Sequence, residues 1–292
     1  MELRQLEYFV AVAEERNFTR AADRVHVSQS GISAQIRQLE KGLGAQLFDR
    51  SGRTATLTVA GKAALEHARA ALAAADAVGQ AVGEVSDVLR GRLRLGMVVG
   101  CTVTPLFEAV AAFHRAHPGV ELALTEDSSD RMTDGVRTGE LDAALIGAAG
   151  APPSGVESLT VVSEPLVAVV PAKHPLAHQR KLSVRALCAY PLICMPQGTG
   201  LRAVLDGACA AHGLAPSVVV EAGAADAIAD LATRGLGVGV LSQSMATRYP
   251  LTARVVADIE TPAVLALIWR ASPPPAVRRF VAHTRTAFGA GR

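Results

Sequence analysis

Apolar side chains recur every three or four residues over the first 45 positions, a period that predicts consecutive amphipathic helices. Residues 17–19 interrupt the first helix and offer capping side chains, and a turn at residues 26–27 leads into a third helix that begins at Ser28. The predicted inner faces comprise Leu3, Leu6, Phe9, Val10 and Ala13, then Ala21, Ala22 and Val25, then Ile32, Ile36, Leu39 and Leu43. This pattern is typical of a helix-turn-helix.

The outer face of the third predicted helix carries polar side chains in an order that suits DNA. Amides and hydroxyls near the start of such a helix can reach base edges in the major groove, whereas Arg37 and Lys41 can meet phosphates. The alternative is an ordinary solvated helix face, but the helix spacing ahead of it favours DNA. The candidate DNA-binding residues on these helices are Thr19, Arg20, Ser28, Gln29, Ser30, Ser33, Gln35 and Arg37.

This region is similar to the N-terminal winged helix-turn-helix of the LysR-type transcriptional regulators. The stretches that carry the resemblance are LRQLEYFVAVAEERNFTRAADRVHVSQSGIS, QIRQLEKGLGAQLFDR and GRTATLTVAG. Later features also fit, so the resemblance covers essentially the whole chain. One departure is Ala34, where many members carry arginine, and no operator sequence is therefore carried over.

The resemblance implies an α/β protein with a winged helix-turn-helix, a long linker helix and a two-lobed, periplasmic-binding-protein-like effector domain. We expect the chain to cross between the lobes near Ser163 and Pro262. The expected boundaries are 1–57 for the DNA-binding domain, 58–90 for the linker and dimerisation helix, and 91–292 for the effector domain, with lobe I at about 91–162 and 263–292 and lobe II at about 163–262.

Charge adds little to this picture, because the net charge of the 292-residue chain is only +2. A weakly basic module gains phosphate contacts, and hence affinity, when two copies bind two half-sites, so we expect a homodimer or homotetramer. Arg50 and Arg53 are candidate wing contacts to the DNA backbone or minor groove, or plain surface arginines. A composition with 50% hydrophobic and 19% charged residues excludes a disordered chain.

Residues 58–90 are rich in alanine and keep a helical period. Thr58 offers a cap, and larger apolar residues form a narrow seam of Leu65, Leu72, Val78, Val82, Val85 and Leu89. A narrow seam is typical of one half of a helix pair, as the resemblance also implies. The alternative is a helix that packs on the core of its own chain.

From Arg92 onward, apolar strand-like runs alternate with amphipathic helices, which predicts an α/β arrangement. The predicted strands are RLRLGMVV, VELALTE, DAALIG, EPLVAVV, PLICM, SVVVEA, GVGVLS and AVLALIWR. The predicted helices are PLFEAVAAFHRAH, RMTDGVRTG, LRAVLDGACAAHG, DAIADLATRG and AVRRFVAHTRTAF. Two successive sets of strands and helices indicate two subdomains with a crevice at the strand ends.

Loops at these strand ends carry hydroxyls and glycine amides ahead of predicted helices, a setting that favours an anion such as a carboxylate. The candidate effector-binding residues are Gly100, Cys101, Thr102, Ser128, Ser129, Gly198, Thr199, Gly200 and Arg202. The alternative for each hydroxyl is self-capping of the following helix. Arg202 can pair with a ligand carboxylate or with Asp206 one turn later.

The four cysteines lack zinc-type spacing and lie among apolar residues, so we expect buried thiols and no metal or cofactor. The family has a peroxide-sensing branch with a cysteine just before Leu201, where this chain has Gly200, so peroxide sensing is not expected. The scattered histidines give no catalytic constellation. No secretion signal or membrane span is evident, so a cytoplasmic regulator of double-stranded DNA is favoured over a solute carrier or an enzyme.

Overall fold

The computed structural model describes residues 1–49, 54–85, 89–100 and 103–289. The chain divides into two compact units, residues 1–91 with 138–140 and residues 92–137 with 141–292. The elements of the first unit are α1 (Leu3–Glu15), α2 (Phe18–Arg24), α3 (Gln29–Leu43), β1 (Phe48–Asp49), β2 (Thr56–Leu57) and α4 (Val59–Val85).

The three predicted N-terminal helices are confirmed, and their ends follow from capping. The side chain of Asn17 accepts from the Thr19 and Arg20 amides at the start of α2, and Ser28 accepts from the Gly31 amide at the start of α3. Most of the predicted inner positions are buried, and Phe48 lies edge-on against the Phe9 and Phe18 rings. The predictions for Leu3 and Leu43 are wrong, since they are 52% and 45% exposed near helix ends.

The first half of α4 packs against the core of its own unit, as the alternative interpretation of this segment expected. Ala68 is buried there, with Leu65 and Leu72 partly buried beside it. Glu14 of α1 accepts from Arg24 at 2.8 Å and from Arg69 of α4 at 3.0 Å, so one carboxylate joins three helices. Val78 further along α4 is 66% exposed, Leu89 is buried, and the side chains of Val82 and Val85 lie outside the described residues.

Two five-stranded sheets form the second unit, with strand orders β4-β3-β5-β12-β6 and β11-β7-β10-β8-β9. The first contains β3 (Gly91–Val98), β4 (Val120–Asp127), β5 (Ala143–Ala149), β6 (Glu157–Glu164) and β12 (Ala263–Trp269). The second contains β7 (Leu166–Val170), β8 (Leu192–Cys194), β9 (Val218–Glu221), β10 (Val238–Ser242) and β11 (Thr252–Val255). The helices are α5 (Thr104–Ala116), α6 (Ser129–Thr138), α7 (Val184–Leu187), α8 (Gly200–Ala211), α9 (Ala225–Thr233), α10 (Gln243–Ala246) and α11 (Pro275–Ala287).

The two sheets belong to two lobes, called lobe I for the sheet with β3 and lobe II for the sheet with β7. The sequence did not predict strands β6 and β11, because their mixed apolar and polar residues give no clear strand pattern. They become strands by pairing with β12 and β7. Ser163 still pairs with Val264 inside lobe I, and the first crossing lies at Pro165, between β6 and β7. No helix in the described ranges is both long and apolar enough to cross a membrane.

The lobes meet where α8 of lobe II begins against the end of β5 of lobe I. A Cβ atom on Gly200 would lie 2.4 Å from the Ala148 nitrogen and 2.4 Å from the Gly147 carbonyl carbon. Both neighbours are backbone atoms, which cannot move aside as a flexible side chain can. Gly200 therefore permits a backbone approach that any larger residue would block.

We expect Gly200→Ala to destabilise the fold by about 1–3 kcal/mol, the usual cost of overpacking. Gly207→Ala on the same helix is a matched control, because a Cβ atom there would meet nothing within 4 Å. That control should raise stability by about 0.5–1 kcal/mol through helix propensity. Urea unfolding of both variants checks this, and equal stabilisation by both would contradict the close approach.

Candidate DNA-reading surface and effector crevice

The start of α3 presents a small polar surface formed by Ser28, Gln29 and Ser30, all of them exposed. The Ser28 hydroxyl lies 3.2 Å from the Ser30 hydroxyl and also accepts the Gly31 amide, so the capping turn holds its position. Arg37 is exposed two turns further along the helix. This surface combines hydroxyls, an amide and a cation in the order that major-groove readout uses.

Two of the residues predicted to contact DNA also make hydrogen bonds inside the helix-turn-helix. Ser33 is only 9% exposed, and its Oγ accepts from Nε2 of Gln29 at 3.2 Å. Gln35 is half-buried, and its Oε1 accepts from Nε2 of the buried Gln5 on α1 at 3.2 Å. Helical periodicity alone could not separate these flank positions from the outer face. These hydrogen bonds link Gln35 to α1 and the Gln29 side chain to Ser33.

The remaining candidates lie at the edges of the helix-turn-helix. Thr19 and Arg20 are exposed at the start of α2, and Nε of Arg20 lies 3.4 Å from the Glu15 carboxylate. The wing is a two-stranded antiparallel ribbon in which Phe48 pairs with Leu57. Arg50 and Arg53 lie outside the described residues.

Sequence reasoning missed a carboxylate that fixes the wing. Glu40 is 9% exposed on α3, and its Oε1 accepts from the Leu47 amide at 2.9 Å and the Phe48 amide at 3.3 Å. An acidic residue on the inner side of the helix, one place after Leu39, was the signal that could have revealed it. Glu40 satisfies backbone donors that the short strand β1 leaves unpaired.

In the effector domain, the predicted loops of the two lobes meet. The Ser129 amide of lobe I donates to the Gly198 carbonyl of lobe II at 3.1 Å, and Oγ of Ser129 accepts from the Gly147 amide at 3.0 Å. Gly198 packs on the side chain of Ser128, and Gly100 lies against the Gly223 carbonyl. Cys101 and Thr102 fall outside the described residues.

Thr199 caps the start of α8, which is the self-capping role that the sequence offered as the alternative for its hydroxyl. Oγ of Thr199 accepts from the Arg202 amide at 3.4 Å and donates to the Pro196 carbonyl at 2.8 Å. By contrast, the amides of Gly200 and Leu201 have no hydrogen-bond acceptor among the described residues. The free donors of this loop are therefore backbone N–H groups at a helix N-terminus.

Arg202, a candidate effector contact, lines the polar cleft, and its charge is paired inside lobe II. The side chain is buried, its Nε donates to both Asp206 oxygens at 2.8 and 2.9 Å, and its Nη1 pairs with Glu221. Burial alone would lower the pKa of Arg202, but its hydrogen bonds to Glu221 and Asp206 outweigh that effect and raise the pKa. Arg202 thus links α8 to β9.

The Gly147–Gly200 contact separates two cavities between the lobes. On one side is an apolar cavity of about 50 Å³, bordered by Val98, Met195, Leu201, Met245 and Val264. On the other side is an open cleft of about 640 Å³, lined by Ser129, Asp130, Asp134, Arg137, Gly200 and Asp206. The first cavity holds only a few water molecules, whereas the second has the size of a metabolite site.

The described residues contain no group of three or more His, Cys, Asp or Glu side chains that could hold a metal ion. Cys194 and Cys209 are buried, as expected, whereas Cys188 is only half-buried. The residue before Leu201 is a glycine that contacts backbone, and a cysteine there would need the lobes to separate.

Comparison with known families gives two matches that together span nearly the whole chain. Residues 3–62 match the model described as a bacterial regulatory helix-turn-helix protein of the lysR family. Residues 86–289 match the model of the LysR substrate binding domain. The domain order is the one that the sequence predicted.

Curated relatives and solved structures agree with these matches. A probable hydrogen peroxide-inducible genes activator of Mycobacterium avium is 38% identical over 240 residues, covering 82% of this chain and 77% of that protein. The transcriptional dual regulator GltC of Bacillus subtilis is 35% identical over 264 residues, covering 90% of this chain and 88% of that protein. A full-length OxyR variant from Pseudomonas aeruginosa has a TM-score of 0.76 at 28% identity, covering 98% of this chain and 95% of the other.

CbnR, a LysR family transcriptional regulator solved alone, superposes with a TM-score of 0.60 at 27% identity, covering 98% of this chain and 99% of the other. The same regulator has been solved in complex with its target DNA, and that structure has a TM-score of 0.60 at 28% identity, covering 98% of this chain and 100% of the other. The matched models, the relatives and the sheet architecture lead to one assignment. The chain belongs to the LysR family of DNA-binding transcriptional regulators.

Proposed function

We propose that a small molecule bound between lobes I and II controls how this regulator binds promoter DNA. The observation that carries the proposal is the contact of Gly200 with Gly147 and Ala148, which joins the lobes beside a metabolite-sized cleft. A ligand in that cleft makes different contacts when this junction is open or closed. It therefore shifts the population of the two lobe arrangements, as linkage requires.

The effector that fits these groups carries a carboxylate at one end. The unpaired Gly200 amide, at the positive end of α8 and on the wall of the polar cleft, is the donor that supports an anion. Asp130 and Asp134 line the same cleft, so the remainder of the ligand should carry hydroxyl or ammonium donors. This charge pattern favours a small polar acid, such as one with an amino group, over a dianion.

The relatives named for hydrogen peroxide induction raise peroxide as a second signal. In this chain Gly200 occupies the position where the peroxide-sensing branch has its cysteine, and its tight backbone contact leaves no room for a side chain. The shared identity is therefore compatible with a shared fold and a different effector. A small-molecule signal in the crevice is the function that the geometry supports best.

We also propose that the protein self-associates through the later part of α4. The N-terminal half of α4 is occupied by its own core, while Val78 lies exposed on the later part of the same helix. A second copy that covers this part would give the homodimer or homotetramer that two half-sites require. We infer that the protein acts in the cytoplasm and binds promoter DNA, a carboxylate effector and a second copy of itself.

Gln29→Ala should reduce discrimination between the operator and random DNA by about 1–3 kcal/mol, because it removes an exposed amide that can reach base edges. Arg37→Ala should weaken binding to both DNAs and lower the salt slope by about 1, because it removes a phosphate contact. Fluorescence anisotropy at several salt concentrations measures both effects. Gln38→Ala, an exposed glutamine on the same helix, is the control. An equal loss of specificity in Gln29→Ala and Gln38→Ala would contradict the assignment.

Thermal-shift screening of the full-length protein against small carboxylic acids should yield a ligand that raises Tm and changes operator affinity over the same concentrations. The neutral amide of that ligand should bind about tenfold more weakly or worse, since hydrogen bonds to charged groups contribute about 1.5–3 kcal/mol. Gly207→Ala should keep the response and Gly200→Ala should lose it. A ligand that raises Tm in both variants without affecting DNA binding would indicate a passive solute-binding domain.

A further inference from the structure

We propose that Cys188 and Cys209 are an oxidisable dithiol pair that forms an intrachain disulfide within lobe II. Cys188 follows the last residue of α7, and Cys209 lies in the final turn of α8. Their Sγ atoms are 3.4 Å apart, although the residues are 21 positions apart in the sequence. Both thiols are free in this structure.

The surroundings hold the two sulfur atoms in place. Leu187, Val204 and Leu205 are buried in the same core cluster as Cys209, and Cys188 packs against that cluster. A disulfide bond is about 2.05 Å long, so the sulfur atoms need to approach by about 1.4 Å. That movement is small enough for rotamer changes and a slight shift of α7 or α8, without unfolding either helix.

The two thiols differ in a way that assigns them separate roles. Cys188 is half-buried and can meet an oxidant, whereas Cys209 is 1% exposed. Burial, with the hydrogen bond to Cys188 as a second cause, raises the pKa of Cys209 to about 12. Cys209 is therefore a protonated partner that reacts second, and Cys188 is the sulfur that attacks the oxidant.

With a hydroperoxide as the oxidant, the disulfide forms in two steps. The Cys188 sulfur attacks one peroxide oxygen, the O–O bond breaks, and the products are a Cys188 sulfenic acid and water or an alcohol. The Cys209 sulfur then attacks the Cys188 sulfur, the S–O bond breaks, and the hydroxyl leaves as water with the Cys209 proton. Two thiols have been oxidised by two electrons and one peroxide has been reduced.

Because Cys209 lies on α8, formation of the disulfide can alter the contact between the lobes at the start of that helix. Gly200 and Cys209 are the first and tenth residues of α8, about 13 Å apart along the axis at 1.5 Å per residue. Gly200 contacts the Gly147 and Ala148 backbone so closely that a Cβ atom does not fit. A shift of α8 on the scale of 1 Å therefore changes that contact, and with it the hydrogen bond from the Gly147 amide to Ser129.

The competing interpretation is a pair of inert core thiols, which is how buried cysteines usually behave. Cys194 provides an internal comparison, because its Sγ faces Nη1 of Arg202 at 3.7 Å and not another sulfur. Burial is the first cause that raises the pKa of Cys194 as well. If oxidation requires two neighbouring sulfur atoms, Cys194 in the unmodified protein should stay reduced while Cys188 and Cys209 form a disulfide.

The test uses the full chain carrying Cys101→Ser and Cys194→Ser, which retains only Cys188 and Cys209 of the four cysteines. Treatment of dilute protein with hydrogen peroxide or diamide should lower the titratable thiols from two to none, and dithiothreitol should restore both. Tryptic digestion should give the peptide 186–202 joined to the peptide 203–234, at a mass two hydrogens below their sum. Adding Cys188→Ser, at the half-buried position, should leave no intrachain link and one thiol after diamide.

Hydrogen exchange of the oxidised and reduced chain then tests the route through α8. The Gly147 amide, which donates to Oγ of Ser129 at 3.0 Å, should change its exchange rate on oxidation, and the amides of β1 and β2 should not. Two thiols that remain titratable in the folded protein, with no linked peptide, would overturn the pair. A linked peptide with unchanged exchange at Gly147 would overturn its connection to the lobe junction. Neither result depends on which effector, if any, occupies the crevice.

Discussion

The effector domain depends on one steric constraint, the approach of the α8 backbone at Gly200 to the β5 backbone at Gly147 and Ala148. This contact joins the lobes, separates a small apolar cavity from a large polar cleft, and leaves the first amides of α8 without acceptors. The close contact follows from the absence of a side chain at Gly200, and the free amides follow from its place at the start of a helix. Hydrogen bonds from Ser129 to Gly198 and from Gly147 to Ser129 then hold the loops around the junction.

The same helix organises lobe II. At its start α8 contacts lobe I, in its first turn Arg202 is neutralised by Asp206 and Glu221, and in its last turn Cys209 meets Cys188. A buried, well-paired arginine is costly to displace, so these ion pairs fix the first turn of α8 against β9. The proposed ligand site at the start of α8 and the proposed disulfide at its end therefore lie on one helix that contacts lobe I.

In the DNA-binding unit, buried polar side chains hold the wing and the exposed start of α3 in position. Glu40 holds the wing by two backbone amides, while Gln5 and Ser33 hold the side chains of Gln35 and Gln29. The surface available to DNA is therefore narrower than the polar face of α3 suggests. This small surface and the low net charge are the reasons for proposing that two copies of the protein bind DNA together.

The sequence by itself determined the family, the helix-turn-helix and most strands, because apolar periodicity and capping residues such as Asn17 and Ser28 act over a few neighbours. It could not determine β6 and β11, whose residues become strands by pairing with β12 and β7. It did not reveal that Arg202 pairs with Glu221, which lies 19 residues away, as well as with Asp206. It also gave no sign that Cys188 and Cys209 meet. Those outcomes belong to the tertiary structure, since distances between residues far apart in sequence are fixed only when the lobe packs.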